Sequence, residues 1–366
     1  MYLLRARRSR VRPIQIENRT MKNLLGRLPW AAMCLGIVIA LSQFAPVSAE
    51  DGTAASSPPT DNFPKAILEC GELRVQIYLP DKNKGYYRGT RFEGSGIVRQ
   101  AEFAGHTYFA EFRTPHHPTG HDDICGTAEE FGMDDPLGYE DAKPGEPFLK
   151  IGVGVLERPD GEPYHFFGTY KIVTPGEWKV KAVGDRIEFQ QEIQGPRGWA
   201  YQYTKVIELS DREPKFTIAR TLKNSGEKTI HTTHYGHNFV QIDNLPPGKG
   251  YSLSFAFDPK FGEKFQPQGC LELAGGDLNF TANLSEDKAI WGPLTGFQQR
   301  EDNRVTIRQQ SAGAAVEIVT DQPAEKFVLY SSGPAVCPEP FVRINIAPGK
   351  EFLWETTYRM ISDEKK

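Results

Sequence analysis

The chain has 366 residues, 25% of them charged and 39% hydrophobic, which excludes a disordered or low-complexity protein. The formal net charge is −4, but residues 1–49 carry +7, so residues 50–366 carry −11. An acidic body disfavours nucleic acid and anionic membrane as partners, and no cluster of basic residues with interleaved aromatics argues otherwise.

Residues 1–20 hold six arginines, and Met21 opens a stretch with the form of a secretory leader. Lys22 and Arg27 supply a positive start. Trp30 to Leu41 is an apolar run too short for a comfortable membrane span. Val47-Ser48-Ala49 offers the small residues that signal peptidase needs, so cleavage after Ala49 is expected. An uncleaved anchor is the alternative. The leader predicts export to a periplasmic or extracellular compartment, with no membrane attachment after cleavage. Residues 50–64 are rich in Ser, Pro, Thr and Gly and read as a flexible spacer. No comparable linker follows, so one domain is expected over 65–361, with a polar tail at 362–366.

Within 65–361 the pattern is strand after strand. Leu73, Val75, Ile77 and Leu79 alternate with polar residues, as do the apolar residues from Ile187 to Ile193. Lys205 to Leu209, Phe216 to Leu222, Val305 to Ile307 and Val316 to Val319 read alike. Phe352 to Met360 puts Trp354, Thr356 and Tyr358 on one face. Pro159-Asp-Gly161, Pro175-Gly176, Pro247-Gly248 and Pro348-Gly349 mark turns. Period-two alternation with turns about every ten residues predicts an all-β fold, a large antiparallel β-sandwich in a single domain.

Three segments carry groups that suit a sugar. Arg113 to Phe131 packs three histidines and four carboxylates into fifteen residues with little strand character. His116, His117 and His121 lack a common helical spacing, which argues against a metal set. A sugar-binding loop and a solvated polar loop remain open. Thr229 to Asp243 holds His231, His234 and His237. On a strand, His231, Thr233, Tyr235 and His237 share one face and His234 takes the other. In Val336-Cys-Pro-Glu-Pro-Phe341 two prolines flank Glu339, which reads as a rigid, non-strand turn that fixes a carboxylate. Cys70, Cys125, Cys270 and Cys337 follow the leader. They allow three disulfide pairings or none.

The C-terminal part resembles the galactose mutarotase-like (aldose 1-epimerase) superfamily. Val316-Glu-Ile-Val-Thr-Asp-Gln-Pro323, Phe327-Val-Leu-Tyr330, Ala335-Val-Cys-Pro-Glu-Pro-Phe341, Pro348-Gly-Lys-Glu351 and Thr356-Thr-Tyr-Arg359 follow that family's order and spacing. Upstream, Lys223-Asn-Ser-Gly-Glu-Lys228 precedes His234-Tyr-Gly-His-Asn-Phe239, similar to the family's histidine strand. Gly96 to Tyr108 looks like its early strand pair. The family's His-Gly-Gly signature is absent in its plain form, and no Asp stands between Trp291 and Phe297.

The resemblance implies a galactose mutarotase-like sandwich that binds a mono- or oligosaccharide and needs no cofactor. It places Glu339 on the catalytic base and His237 on the acid, with His234 as alternative. Together they would interconvert the α and β anomers of a hexose by ring opening. Arg91, Arg113, His121, Glu129, His234 and Asn238 are candidate sugar contacts, and Trp291 or Trp199 a candidate stacking face. Two other readings compete. One is a non-catalytic carbohydrate-binding protein of the same fold. The other is a polysaccharide lyase or hydrolase using Glu129 and Glu130.

Overall fold

The computed structural model describes residues 62–285 and 287–363. The expected leader, the spacer up to residue 61 and residues 364–366 of the tail lie outside the described residues. From Phe63 onward the described chain is one compact unit. Its only helical pieces among the described residues are two short 3-10 turns, Pro196–Gly198 and Arg300–Asp302.

Two ten-stranded sheets make up the body. The first runs Lys65–Cys70, Leu73–Tyr78, Ile97–Phe103, Thr127–Phe131, Ile230–Asn238, Ala335–Ile346, Lys326–Ser332, Ala289–Thr295 and Lys260–Phe261, with His106–Thr107 beside Ile97–Phe103. The second runs Leu271–Ala274, Asp277–Phe280, Tyr251–Phe255, Arg304–Gln309, Ala314–Thr320, Glu351–Ser362, Lys215–Asn224, Ala200–Leu209, Arg186–Gln194 and Trp178–Val183. A third, smaller sheet joins Pro147–Lys150, Gly154–Glu157 and Lys171–Pro175.

The alternation in sequence becomes alternation in burial. Along Arg186–Gln194, Ile187, Phe189, Gln191 and Ile193 are buried while their neighbours stay wetter. Trp354, Thr356, Tyr358 and Met360 do the same in Glu351–Ser362. Val75, Ile77, Val98, Phe327 and Leu329 of the first sheet join Ile207, Phe216, Ile218, Val305 and Val316 of the second in one core cluster. Each such side chain contributes roughly 1.5–3 kcal/mol on burial, so the stacked sheets hold together by their facing rows.

Two segments differ from the sequence reading. Thr127–Phe131, expected to be loop, is a wholly buried central strand. Glu339, expected on a non-strand turn, lies within the twelve-residue strand Ala335–Ile346. Its flanking prolines are tolerated for a directional reason. The Val336 N–H donates to Val240 O, on the side of the histidine strand. Pro338 and Pro340 have the same parity, so their missing N–H groups fall on that side too. The ladder to Lys326–Ser332 stays continuous through Phe327↔Pro340, Val328↔Glu339 and Leu329↔Pro338. The ladder to Ile230–Asn238 ends at Tyr235↔Phe341. There the Asn238 side-chain amide donates to Pro338 O at 2.8 Å.

Candidate functional site

Strand register puts the candidate groups in rows on the outward face of the first sheet. Residues directly opposite across antiparallel strands share a face. Ala128↔His237 and Val328↔Glu339 belong to one row. Glu130↔Tyr235↔Phe341↔Lys326 forms the row on one side. Trp291↔Tyr330↔Cys337 forms the row on the other. The acid–base candidates are therefore flanked by a charged and phenolic row and by an aromatic row.

His237 Nε2 stands 3.1 Å from Glu339 Oε1, and the two side chains are 8% and 7% exposed. The imidazole stacks on Phe239 at 4.2 Å and meets the edges of Tyr330 and Phe92 at 5.5 and 5.8 Å. Its Nδ1 is buried without a hydrogen-bond partner. Burial, reinforced by the Arg91 charge, pushes the imidazole well below its usual range. Burial pushes Glu339 up to about 8, with Glu130 adding to the rise and Arg91 and Lys326 opposing it. Near neutral pH the pair therefore holds a proton on the carboxyl and a free lone pair on the imidazole. One neutral acid faces one neutral base.

Arg91 anchors the neighbouring row. It donates to Glu130 Oε2 at 2.9 Å and to the Tyr235 hydroxyl at 3.0 Å. Tyr235 in turn donates to Glu130 at 2.7 Å. Lys150 closes the group with a 3.0 Å bond to Glu130 Oε1. Burial alone would raise the Glu130 carboxyl, but Lys150 and Arg91 outweigh it and hold it below the ordinary range. Glu130 is thus a fixed anion that orients Arg91 and Tyr235. Phe92 and Phe166 lie against the Arg91 guanidinium at 4.4 and 4.6 Å.

Arg113 and His121 lie on the loop nearby. Arg113 is partly exposed, pairs with Asp122 and rests on the Phe112 ring at 4.7 Å. His121 meets Phe167 edge-on at 5.2 Å. Burial lowers its proton affinity, helped by Arg91 and Arg113 and resisted by Asp122. Trp291, 45% exposed, shares its row with Tyr330 and offers an open ring on the same face as the pair.

Three of the sugar-contact candidates are elsewhere. Glu129, His234 and Asn238 have the opposite parity and point between the sheets. Glu129 forms ion pairs with Arg220 and, at 3.1 Å, with Lys205. His234 accepts a hydrogen bond from Trp354 Nε1 at 3.2 Å, and burial with Arg220 takes it down to about 3. Asn238 accepts from the Tyr358 hydroxyl at 2.8 Å. Trp199 packs beside the core cluster around Phe131 and Trp354. Glu129 and Glu130 face opposite sides of one strand, each neutralised by two cations, so they form no catalytic carboxylate pair. Tyr235, Lys150 and Tyr330 were not expected at the site, and Glu130 was expected only as half of a lyase or hydrolase pair with Glu129. Tyr235 alone had a signal, its shared parity with His237. Among the described residues no group of three His, Cys, Asp or Glu could hold a metal ion.

Solved structures with the same architecture include a galactose mutarotase-like protein from Lactobacillus casei, 12% identical, TM-score 0.52, spanning 81% of this chain and 100% of that one. A candidate aldose 1-epimerase from Escherichia coli K12 is 15% identical, TM-score 0.51, over 81% and 99%. An aldose epimerase homologue from C. elegans is 11% identical, TM-score 0.51, over 82% and 100%. No family model matches the chain, and no curated protein matches its sequence. The chain has the galactose mutarotase-like fold, carried by a far-diverged sequence.

Proposed function

We propose that this protein binds a sugar on the outward face of the first sheet and interconverts its α and β anomers, in the manner of an aldose 1-epimerase. The 3.1 Å pairing of His237 with Glu339, both buried and both shifted toward neutrality, carries this reading. One group removes the proton from the anomeric hydroxyl while the other protonates the ring oxygen. The C1–O5 bond breaks, the aldehyde turns over, and the reverse transfers reclose the ring. Because the reverse step exchanges the roles, an acid and a base with neighbouring proton affinities serve both directions. The resting ionisation gives Glu339 the proton and makes His237 the first base. The family resemblance assigns the two roles the other way round. Arg91, held by Glu130 and Tyr235, would orient the sugar, with Arg113, His121 and Trp291 bordering it. Export through the leader ending at Ala49 would place this activity outside the cytoplasm.

Polarimetry of freshly dissolved α-glucose or α-galactose tests the proposal. The purified protein should speed relaxation, and Glu339→Gln should abolish the effect with the fold intact. An unchanged rate in that variant removes Glu339 from the chemistry. The low exposure of the pair also favours a second reading, a binding protein without turnover. Sugar binding with no acceleration by the wild-type protein would select it.

A further inference from the structure

A second cleft, of about 330 Å³, lies between residues 80–94 and the turn that ends the Lys171–Pro175 strand. This volume is within the range of small-molecule sites, roughly 300–1,000 Å³. It shares one wall with the acid–base pair but does not include it. The Phe92 ring lines the cleft on one side and stands 5.8 Å from His237 on the other. The wall is stiffened by the Tyr87 hydroxyl, which accepts from the N–H groups of Arg91 and Phe92 and donates to His121 O. Arg91 reaches from this segment toward Glu130, while Arg88, three residues earlier, lines the cleft.

The cleft's chemistry is specific. Among the described residues the Arg88 side chain makes no hydrogen bond or ion pair, and its Nε is buried without a partner. Asp81 feels its charge, yet its Oδ1 is occupied by the backbone N–H groups of Asn83 and Lys84. Arg88 and Lys82 are balanced by Asp81 and Glu177, so the lining has no net charge to select an anion or a cation. Trp178 contributes an aromatic ring, half-buried and braced edge-on by Tyr203 at 6.0 Å. Four glycines, Gly89, Gly94, Gly152 and Gly176, line the walls. Behind one of them, Gly176, stands the buried Gln191 amide, whose Nε2 has no acceptor.

An aromatic face, an unpaired planar donor, carboxylate acceptors and zero net charge match a ligand with an apolar ring face and a rim of hydroxyls. We propose that this cleft is a second carbohydrate site, which holds a neutral pyranose unit on Trp178 with its hydroxyls bridged between Arg88 and the carboxylates of Asp81 and Glu177. The site works without the His237–Glu339 pair, so it can bind sugar whether or not that pair turns it over.

Titration of the purified protein with glucose, galactose, maltose and lactose, followed by saturation-transfer NMR, tests the assignment in three forms. Wild type and Glu339→Gln should both bind at least one of the four. Arg88→Ala should weaken that binding roughly tenfold or more, the loss of one charge-assisted hydrogen bond. Arg88 is bound to no core group, so this variant should fold, and Trp178→Phe should show a smaller loss. Mutarotation by Arg88→Ala should remain at the wild-type rate. Wild-type affinity in Arg88→Ala overturns the proposal. So does binding that vanishes in Glu339→Gln, which would put the sugar at the pair, or the absence of any binding to the four sugars. Failure of mutarotation in the wild type, with Arg88-dependent binding retained, would overturn the epimerase reading and leave the cleft standing.

Discussion

At the scale of single residues, His237 and Glu339 hold one dissociable proton between them. The environment has reversed their usual order, because burial penalises the charged form of each. The pair titrates as a unit. Above about pH 8 the carboxyl loses its proton and no acid remains. Far below the usual imidazole range both groups are protonated and no base remains. Mutarotation should follow a bell with its alkaline limb near pH 8, read by polarimetry after subtracting the spontaneous rate. A rate that stays flat through that limb would exclude Glu339 as proton donor. The same shift bears on stability. The folded carboxyl binds its proton more tightly than the unfolded one, so stability is greatest below the unfolded pKa and falls as pH rises toward about 8. The slope from this group is at most about 1.4 kcal/mol per pH unit. Glu339→Gln should flatten it, and urea midpoints across this window should then vary less than in wild type. Equal pH dependence in both proteins would contradict the buried neutral carboxyl.

At the scale of elements, parity along a strand decides which polar residues meet a ligand. The sequence pattern was enough to divide His234 from His237, and the structure keeps them on opposite faces. The same rule applied to Asn238 would have removed it from the sugar contacts. Glu129 and Glu130 could not be sorted this way, because Thr127–Phe131 carries no alternation of apolar and polar residues. Its inward and outward faces each bury a glutamate against cations from elsewhere in the chain, Arg220 and Lys205 from strands on one side, Lys150 from a strand and Arg91 from a loop on the other. Lys150 was illegible for the same reason, since its partner Glu130 is reached only through tertiary folding. Glu129 in particular ties the sheets together. It lies in the first sheet, and its partners Arg220 and Lys205 lie in the second. Lys205 also pairs with Glu93. Removing one member of such a network leaves buried charge uncompensated, at a cost of about 3–5 kcal/mol. Glu129→Gln should lower the denaturant midpoint accordingly. A sugar-contact role would instead leave the midpoint in place and weaken binding.

At the scale of the whole molecule, the sandwich was legible because the chain writes it repeatedly, as alternation at Ile187–Ile193, Phe216–Leu222 and Phe352–Met360. The order of strands was not, since Ile230–Asn238 pairs with partners about 100 residues away on both sides and no local pattern encodes that. The cysteines pose a whole-molecule question too. Cys70, Cys270 and Cys337 are free thiols, and Cys125, Cys270 and Cys337 are buried. Export would carry them into a compartment that permits disulfides, so protection must come from burial and separation. Cys337 shows this most clearly, since burial and the neighbouring Glu339 both raise its thiol far above the reactive range. The native protein should therefore react slowly with an alkylating reagent, Cys70 first, and Cys70, Cys270 and Cys337 should each become labelled once unfolded without reductant. Peptide mapping by mass spectrometry reads both stages. If any of these three resists labelling in the unfolded, unreduced protein, that residue is paired, and the sandwich is held by a covalent tie as well as by its packed faces.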